Sequence, residues 1–325
     1  MTFLRQCHAI LHIPSRRLQT KVSTLNGEKV RIRSKQPWIS TIGLEVHAQL
    51  LTKTKLFSRA LAAYGGPVNS QVDFFDASTP GTLPVINKKA VELALKSSLA
   101  LNCQINQVST FDRKHYFYAD LPAGYQITQQ RKPLAVNGHL NFTVIKSTTV
   151  KQTYTSKANI IQIQIEQDSG KSLHDEDLNY TLLDLNRCGT GLIEIVFGPD
   201  LFHGEEAASL VKELSLILQR LEVCSCKMEL GAMRVDANIS VRPFGSNQLG
   251  IRTEVKNINS IRGIVNAIEH EVDRQIEILE SGGEVINETR NYDANQKKSV
   301  PMRDKEVKQD YREMFKNLSS IFYLP

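Results

Sequence analysis

Between Ile42 and Leu50 the chain interleaves apolar residues with residues that can do chemistry. Ile42, Leu44, Val46 and Ala48 alternate with Gly43, Glu45, His47 and Gln49, the two-residue period of a strand with one buried face. Residues two apart on a strand point the same way about 7 Å apart, so Glu45 and His47 can reach one ion or one substrate group. Three further stretches repeat the device. Ile161, Ile163 and Ile165 oppose Gln162, Gln164, Glu166 and Asp168; Val235, Ala237, Ile239 and Val241 oppose Asp236, Asn238, Ser240 and Arg242; Ile251, Thr253 and Val255 oppose Arg252, Glu254 and Lys256. If the four strands are neighbours, carboxylates and an imidazole converge with Arg and Lys on one face. Binding Mg²⁺ together with phosphates requires that set: hard oxygen donors for the ion, and cations to neutralise charge on a transferred phosphoryl group. A solvated sheet face is the competing reading, because antiparallel sheets ordinarily turn one face to water. The sequence holds no Walker A motif, G-x-G-x-x-G fingerprint, kinase catalytic loop or G-x-S-x-G elbow, so a nucleotide site here is of a less common kind.

The elements that would position these residues follow from pattern. Asn87 is placed to cap a helix over Lys88–Leu101 carrying Val91, Leu95 and Leu99 on one stripe, with Asn102 as its stop. Glu205–Leu221 is amphipathic, with Leu210, Val211, Leu214, Ile217, Leu218 and Leu221 on one side. A third helix runs from about Asn259 to Ser281 with a stripe of Ile261, Ile264, Val265, Ile268, Val272, Ile276 and Leu279, closed by Gly282-Gly283. Gly189 and Gly191 suggest a tight turn or close backbone approach before the apolar run to Val196. The segment Phe111–Pro122 packs bases, aromatics and acids into a dozen residues; it reads either as functional or as an edge strand with Tyr116 and Tyr118 packing and the charges solvated. With no internal repeat and no Pro/Gly/Ser linker, the body reads as one continuous α+β domain with a curved, mainly antiparallel sheet packed by helices.

Bulk composition narrows the function classes. The chain has 325 residues, 41% hydrophobic, enough for a substantial core, and no apolar run approaches the roughly 20 residues of a membrane helix. The net charge of +6 is uneven: residues 1–36 hold eight Lys/Arg and the single acid Glu28, leaving 32 basic and 33 acidic residues elsewhere. Whole-body charge therefore gives no argument for a nucleic-acid partner. The Arg- and Ser-bearing, acid-poor start has the composition of a mitochondrial transit peptide, with a disordered basic tail as the alternative. Five cysteines, Cys7, Cys103, Cys188, Cys224 and Cys226, fit a reducing compartment. Cys224-Ser225-Cys226 has no matching pair and reads as thiols, not zinc ligands.

Several long motifs then fall in one order: Ile42–Leu50, Pro80–Asn87, DRKHYFYADLPAGYQITQ within Phe111–Gln129, Glu166–Lys171, DLNRCGTGLIEIVFGP over Asp184–Pro199, Met228–Pro243, RTEVKNINS over Arg252–Ser260, Thr289-Arg290, Met302–Lys305 and Asp310–Arg312. Together they resemble the B-subunit family of glutamyl-tRNA(Gln) amidotransferases, from about Ile39 to Arg312.

The resemblance implies a glutamine synthetase-like catalytic cradle over residues 37–312, behind a leader at 1–36. It implies ATP- and Mg²⁺-dependent phosphorylation of the glutamyl γ-carboxylate of Glu-tRNA(Gln). Ammonia from an A subunit then displaces the phosphate, a C subunit clasps the pair, and the work is done in the mitochondrial matrix. On matching positions, Glu45, His47, Glu166 and Glu254 stand as the metal set, and Lys114 and Lys256 as phosphate or transition-state contacts. Asp236 and Asn238 lie in a matching motif. Tyr116, Tyr118 and Tyr125 are placed to line the acceptor end, where an aromatic face can stack on the terminal adenine; Arg113 and Arg252 are assigned with them to ligand binding. Glu166 reads here as a solvated carboxylate whose removal would cost little stability.

There are departures. Gln167 and Leu230 stand where many bacterial members carry acids, which would remove negative charge near the ion, and Val72–Thr79 lacks the cysteines that some members use for zinc, so no zinc is expected. After Arg312 the sequence diverges, so residues 313–325 read as a tail replacing the family's helical and tail domains, in a truncated or alternatively spliced form. A non-catalytic assembly partner of the A subunit is the second reading of such a chain, and a metal-dependent phosphotransferase acting on a small carboxylate is a third.

Overall fold

Strand 37–49, the one with Glu45 and His47, has neighbours on both sides and runs through the middle of a large sheet. The computed structural model describes residues 21–25, 28–32, 36–146, 152–175, 177–294, 296–302, 311–313 and 321–323. Eleven strands form the sheet: Lys21–Leu25 (β1), Glu28–Ile32 (β2), Pro37–Gln49 (β3), Gln104–Ile105 (β4), Ala135–Lys146 (β5), Gln152–Gln167 (β6), Gly191–Phe197 (β7), Met233–Pro243 (β8), Thr253–Ile258 (β9), Thr289–Asp293 (β10) and Lys298–Pro301 (β11). The spatial order is β11-β10-β9-β8-β3-β7-β6-β5-β4, with β2 added to the start of β3 and β1 to β2. Every pairing is antiparallel except β9 with β10. The mixed, mainly antiparallel architecture matches the expected α+β class.

One face of this sheet is dry. Ile42, Leu44, Val46 and Ala48 on β3, Ile163 and Ile165 on β6, Ile193 and Ile195 on β7, Val235, Ala237 and Ile239 on β8 and Val255 on β9 are all fully buried. They join the helices Lys88–Ala100 (α1), Gly204–Arg220 (α2) and Ile261–Glu280 (α3) in one apolar cluster. At about 25 cal/mol per Å² of buried apolar surface, this face is the main source of stability. The helices end where their sequences say they should. Asn87, His203 and Ser260 each accept a backbone N–H as N-cap. After α3, Gly282 takes φ +80° while the Gly282 and Gly283 N–H groups bond the Leu279 and Ile278 carbonyls, a Schellman closure that needs the left-handed glycine.

Three expectations are corrected. The fully buried face of α1 is Ala90, Leu93, Ala94, Ser97 and Ser98; of the expected stripe, Val91 and Leu95 pack against the core at its margin while Leu99 is exposed. Both serines can be buried because their hydroxyls bond the Leu93 and Ala94 carbonyls one turn back. Strand β9 starts at Thr253, leaving Ile251 and Arg252 exposed ahead of it. Within the stretch read as a leader, β1 and β2 belong to the sheet: Val30 and Arg31 are buried, Lys29 pairs with Glu206, and Arg31 pairs with Glu269 at 2.5 Å. The leader reading of residues 1–20 and the motif at Arg303–Lys305 fall outside the described residues. Of the stretch read as a divergent tail, Ile321–Tyr323 pairs with Val108–Thr110. Cys103, Cys188, Cys224 and Cys226 are free and buried.

Candidate active site

Register fixes which polar residues meet on the other face. His47 on β3 lies directly opposite Glu194 on β7 and Arg234 on β8, and Glu194 in turn lies opposite Gln164 on β6. The next row sets Glu45 opposite Asp236; beyond it, Asn238 faces Glu254, which faces Thr289 on β10. Opposed side chains in antiparallel pairs stand about 5 Å apart, so β6, β7, β3, β8 and β9 deliver their polar residues to one patch, which Thr289 on β10 extends through the parallel pair. The shared face expected from the alternating strands thus has its geometric basis in the strand order.

Ligand-type atoms of Glu45, His47 and Glu194 all lie within 4.8 Å of one another. Asn238 Nδ2 donates to Glu45 Oε1 at 2.9 Å, and the Gln164 amide donates to Glu194. His47 Nδ1 hydrogen-bonds Glu166 Oε1 at 2.9 Å while its Nε2 lies 3.9 Å from Asp236 Oδ2. A carboxylate behind the imidazole leaves the second ring nitrogen for an ion, the arrangement by which outer carboxylates orient histidine ligands. Glu254 accepts from Thr289 Oγ1 at 3.1 Å and pairs with Lys256 Nζ at 3.0 Å; Lys256 also reaches Asp236 at 3.3 Å. Of the four residues assigned to metal, Glu45 and His47 are in the three-ligand group, Glu166 contacts that group through His47, and Glu254 is engaged with Lys256.

Glu194 was missed in the sequence. Its signal is there, an acid between Ile193 and Ile195 in LIEIV: a charge inside a run this apolar needs a polar face to point to.

The electrostatics follow from crowding. Burial resists charge on His47, but the hydrogen bond and field of Glu166, with Glu194 and Asp236, outweigh it and raise its pKa to about 9. Burial, then Glu166 and Glu45, push Glu194 up to about 8, against the pull of His47 and Lys114. Burial would raise Glu166, yet its bond to His47 and the charges of His47 and Lys114 hold it below the usual carboxylate range. Lys256 is raised, burial being outweighed by Asp236 and Glu254. A carboxyl held protonated by neighbouring acids marks a site short of positive charge, and oxygen donors with one imidazole fit a hard divalent cation such as Mg²⁺.

Around this centre lies a cleft of ≈ 170 Å³, with His47, Tyr116, Gln126, Glu166, Arg234 and Asp236 in its wall. Its cover is the hairpin of Asp112–His115 and Tyr125–Thr128. The hairpin is seated on β6 by Gln126 Nε2 to the Gln167 carbonyl at 2.7 Å, Ile127 N–H to Gln167 Oε1 at 3.2 Å and Ile165 N–H to Gln129 Oε1 at 3.0 Å. This cover buries Glu166, which is 4% exposed, so the carboxylate read as solvated is not. It also turns Gln167 to the Ile127 backbone and away from the acids; Leu230, in the turn Met228–Leu230, is partly exposed. The hairpin carries Arg113, whose guanidinium lies 5.5 Å over the Tyr125 ring, and Lys114. Tyr116 faces the cleft and packs against Tyr118 with centroids 4.5 Å apart and the rings tilted by 48°; burial and Asp120 push its hydroxyl up to about 12. Tyr125 lines a second cavity of ≈ 280 Å³ with Phe75, Asp76 and Thr82. Asp168 binds Arg234 at 2.8 Å and Arg187 at 3.4 Å at the edge of the first cleft. Asn257, in β9 at φ +61° where the β8/β9 register shifts, also lines it; such bulges re-aim side chains at sites.

Residues 40–320 match the family model described as the GatB/GatE catalytic domain. The mitochondrial B subunit of glutamyl-tRNA(Gln) amidotransferase from Drosophila melanogaster is 60% identical over 280 residues, covering 86% of this chain and 54% of the fly protein. The Homo sapiens protein of the same name is 54% identical over 297 residues, 91% of this chain and 52% of its own length. The B subunit of the aspartyl/glutamyl-tRNA(Asn/Gln) amidotransferase of Rickettsia canadensis is 50% identical over 275 residues, 85% of this chain and 56% of its own. The chain spans about half the length of the curated relatives it matches.

Proposed function

The chain belongs to the GatB/GatE catalytic-domain family, and from that premise we propose that it carries the carboxylate-activating site of a tRNA-dependent amidotransferase in the mitochondrial matrix. The substrate is the glutamyl group of Glu-tRNA(Gln), and the chain works with an amidotransferase A subunit and a C subunit. The observation that carries the reading is the convergence of Glu45, His47 and Glu194 within 4.8 Å, in the same cleft region as Lys114 and Lys256.

A carboxylate is a poor acyl donor, and phosphorylation supplies a leaving group. An oxygen of the γ-carboxylate attacks the γ-phosphorus of ATP and ADP departs; ammonia then attacks the acyl carbon and inorganic phosphate leaves. Mg²⁺ held by Glu45, Glu194 and His47 would neutralise phosphate charge. The chain's own residues do the rest. Glu166 fixes the His47 ring. Lys114 and Lys256 stand where they can offset charge on the transferred group, and Lys256 is kept cationic by Asp236 and Glu254. Tyr116 on Tyr118 offers an aromatic face to the acceptor adenosine.

The test is conversion of Glu-tRNA(Gln) to Gln-tRNA(Gln) by this chain co-purified with A and C subunits, given ATP, Mg²⁺ and glutamine. Turnover that disappears in Glu45→Gln supports the reading. An intact complex with no turnover would make the chain an assembly partner instead.

A further inference from the structure

Tyr311 stands far along the chain from every residue assigned to the site, yet the strand Tyr311–Glu313 brings it there. That strand pairs antiparallel with Asp112–His115, setting Tyr311 opposite Lys114, Arg312 opposite Arg113 and Glu313 opposite Asp112. Opposed side chains share a face, and Lys114 Nζ lies 6.0 Å from the Tyr311 ring centroid. The two groups are close enough to the acids for their fields to be felt: the charges of Glu194 and Glu166 act on Tyr311, and the charge of Lys114 acts on those same two carboxylates.

A lysine on a flexible four-carbon stem beside two carboxylates has two resting places. It can fall onto them as an ion pair, filling the oxygens a divalent cation would use, or it can stand off where it meets a bound phosphate. The Tyr311 ring beside the ammonium, with a hydroxyl able to accept one of its N–H bonds, selects the second. Building on the cation and phosphate reading of the site given above, we propose that Tyr311 is a positioning residue. It holds the Lys114 ammonium on the phosphate side of the cleft and leaves Glu194 open to the metal. The strand 311–313 then completes the site from outside the main sheet, and Lys114 depends on it for its aim.

The experiment is Mn²⁺ binding to the full chain, followed by electron paramagnetic resonance, for the wild type, Tyr311→Phe, Lys114→Met and the double variant. Tyr311→Phe keeps the ring and removes only the hydroxyl. Its Mn²⁺ dissociation constant should rise on the order of tenfold, the scale of outer-shell effects on metal affinity, with the melting temperature unchanged. In the Lys114→Met background the same substitution should change nothing, since no ammonium is left to collapse. Equal binding by wild type and Tyr311→Phe, or equal weakening in both backgrounds, overturns the inference. A wild type that binds no Mn²⁺ overturns the metal reading beneath it, and the inference with it.

Discussion

His47 shares its proton with carboxylates on two sides, and the sign of the resulting pH dependence can be worked out. Its folded value is raised from 6.5 to about 9, so its contribution to stability is complete below 6.5 and is lost as pH climbs through about 9. Glu194, raised from 4.5 to about 8, works in the same direction: the folded state favours its protonated form, and ionising it progressively opposes folding. The metal-free protein should therefore melt at lower temperature as pH goes from 6.5 to 9, checked by thermal scans in EDTA; a flat or rising melting temperature would rule out this proton sharing. Glu194→Gln should bind Mn²⁺ at least about tenfold more weakly, since losing a ligand costs no less than losing an outer-shell partner, while leaving the melting temperature unchanged or higher, because the folded state already favours the uncharged acid. Retained affinity in that variant would remove Glu194 from the ligand set. The pairing of Glu45 with His47 was legible from two-residue alternation alone. The burial of Glu166 was not, because the hairpin that covers it lies about forty residues upstream and periodicity carries no information about what a polar face meets.

The N-terminal hairpin shows where local pattern misleads about an element. Lys29 and Arg31 read as scattered charges of a leader, yet Arg31 is 1% exposed and bonds Glu269, the Phe202 carbonyl and Ser40. Its partner Glu269 is 37% exposed and also accepts the Gly204 N–H that opens α2. That asymmetry makes a prediction. Glu269→Ala leaves a buried guanidinium without its counter-charge and should cost about 3 kcal/mol, whereas Arg31→Met replaces the stem with apolar volume and leaves a carboxylate that water can reach, costing about 1 kcal/mol or less. Denaturant unfolding of the two variants decides it, and equal losses would mean that the pair contributes only surface attraction. Elements whose own sequence satisfies them were legible: α2 and α3 carry full apolar stripes, and their buried leucines and isoleucines are those the 3.6-residue period selects. Helix α1 was legible in extent but only partly in facing: Val91 and Leu95 pack at the margin of the core, while small residues and self-bonded serines let a less hydrophobic side go fully inward.

At the scale of the molecule, charge and topology together set how an acceptor RNA would be held. Outside residues 1–36 the formal charges nearly cancel, so long-range attraction over the body is weak, and a local grip on the acceptor end falls to the cations gathered around the cleft. Lys114, Lys256, Arg234 and Arg187 are those cations, and Arg234 and Arg187 are each partly committed to Asp168. Neutralising four phosphates of a single-stranded end would give a log–log salt slope of about −3 for tRNA binding, against about −6 or steeper for a protein that tracks a duplex through seven or more contacts. Filter binding of Glu-tRNA(Gln) to this chain between about 50 and 200 mM salt measures the difference. A slope near −3 that flattens in Lys256→Met would locate the contact at the cleft, with the specific recognition of the tRNA body supplied by other surfaces of the assembled enzyme. A steep slope indifferent to Lys256 would mean that the tRNA lies across a face of the sheet remote from Glu45 and His47. The acidic cluster and its two lysines would then have to act on a smaller carboxylate substrate that enters the cleft alone.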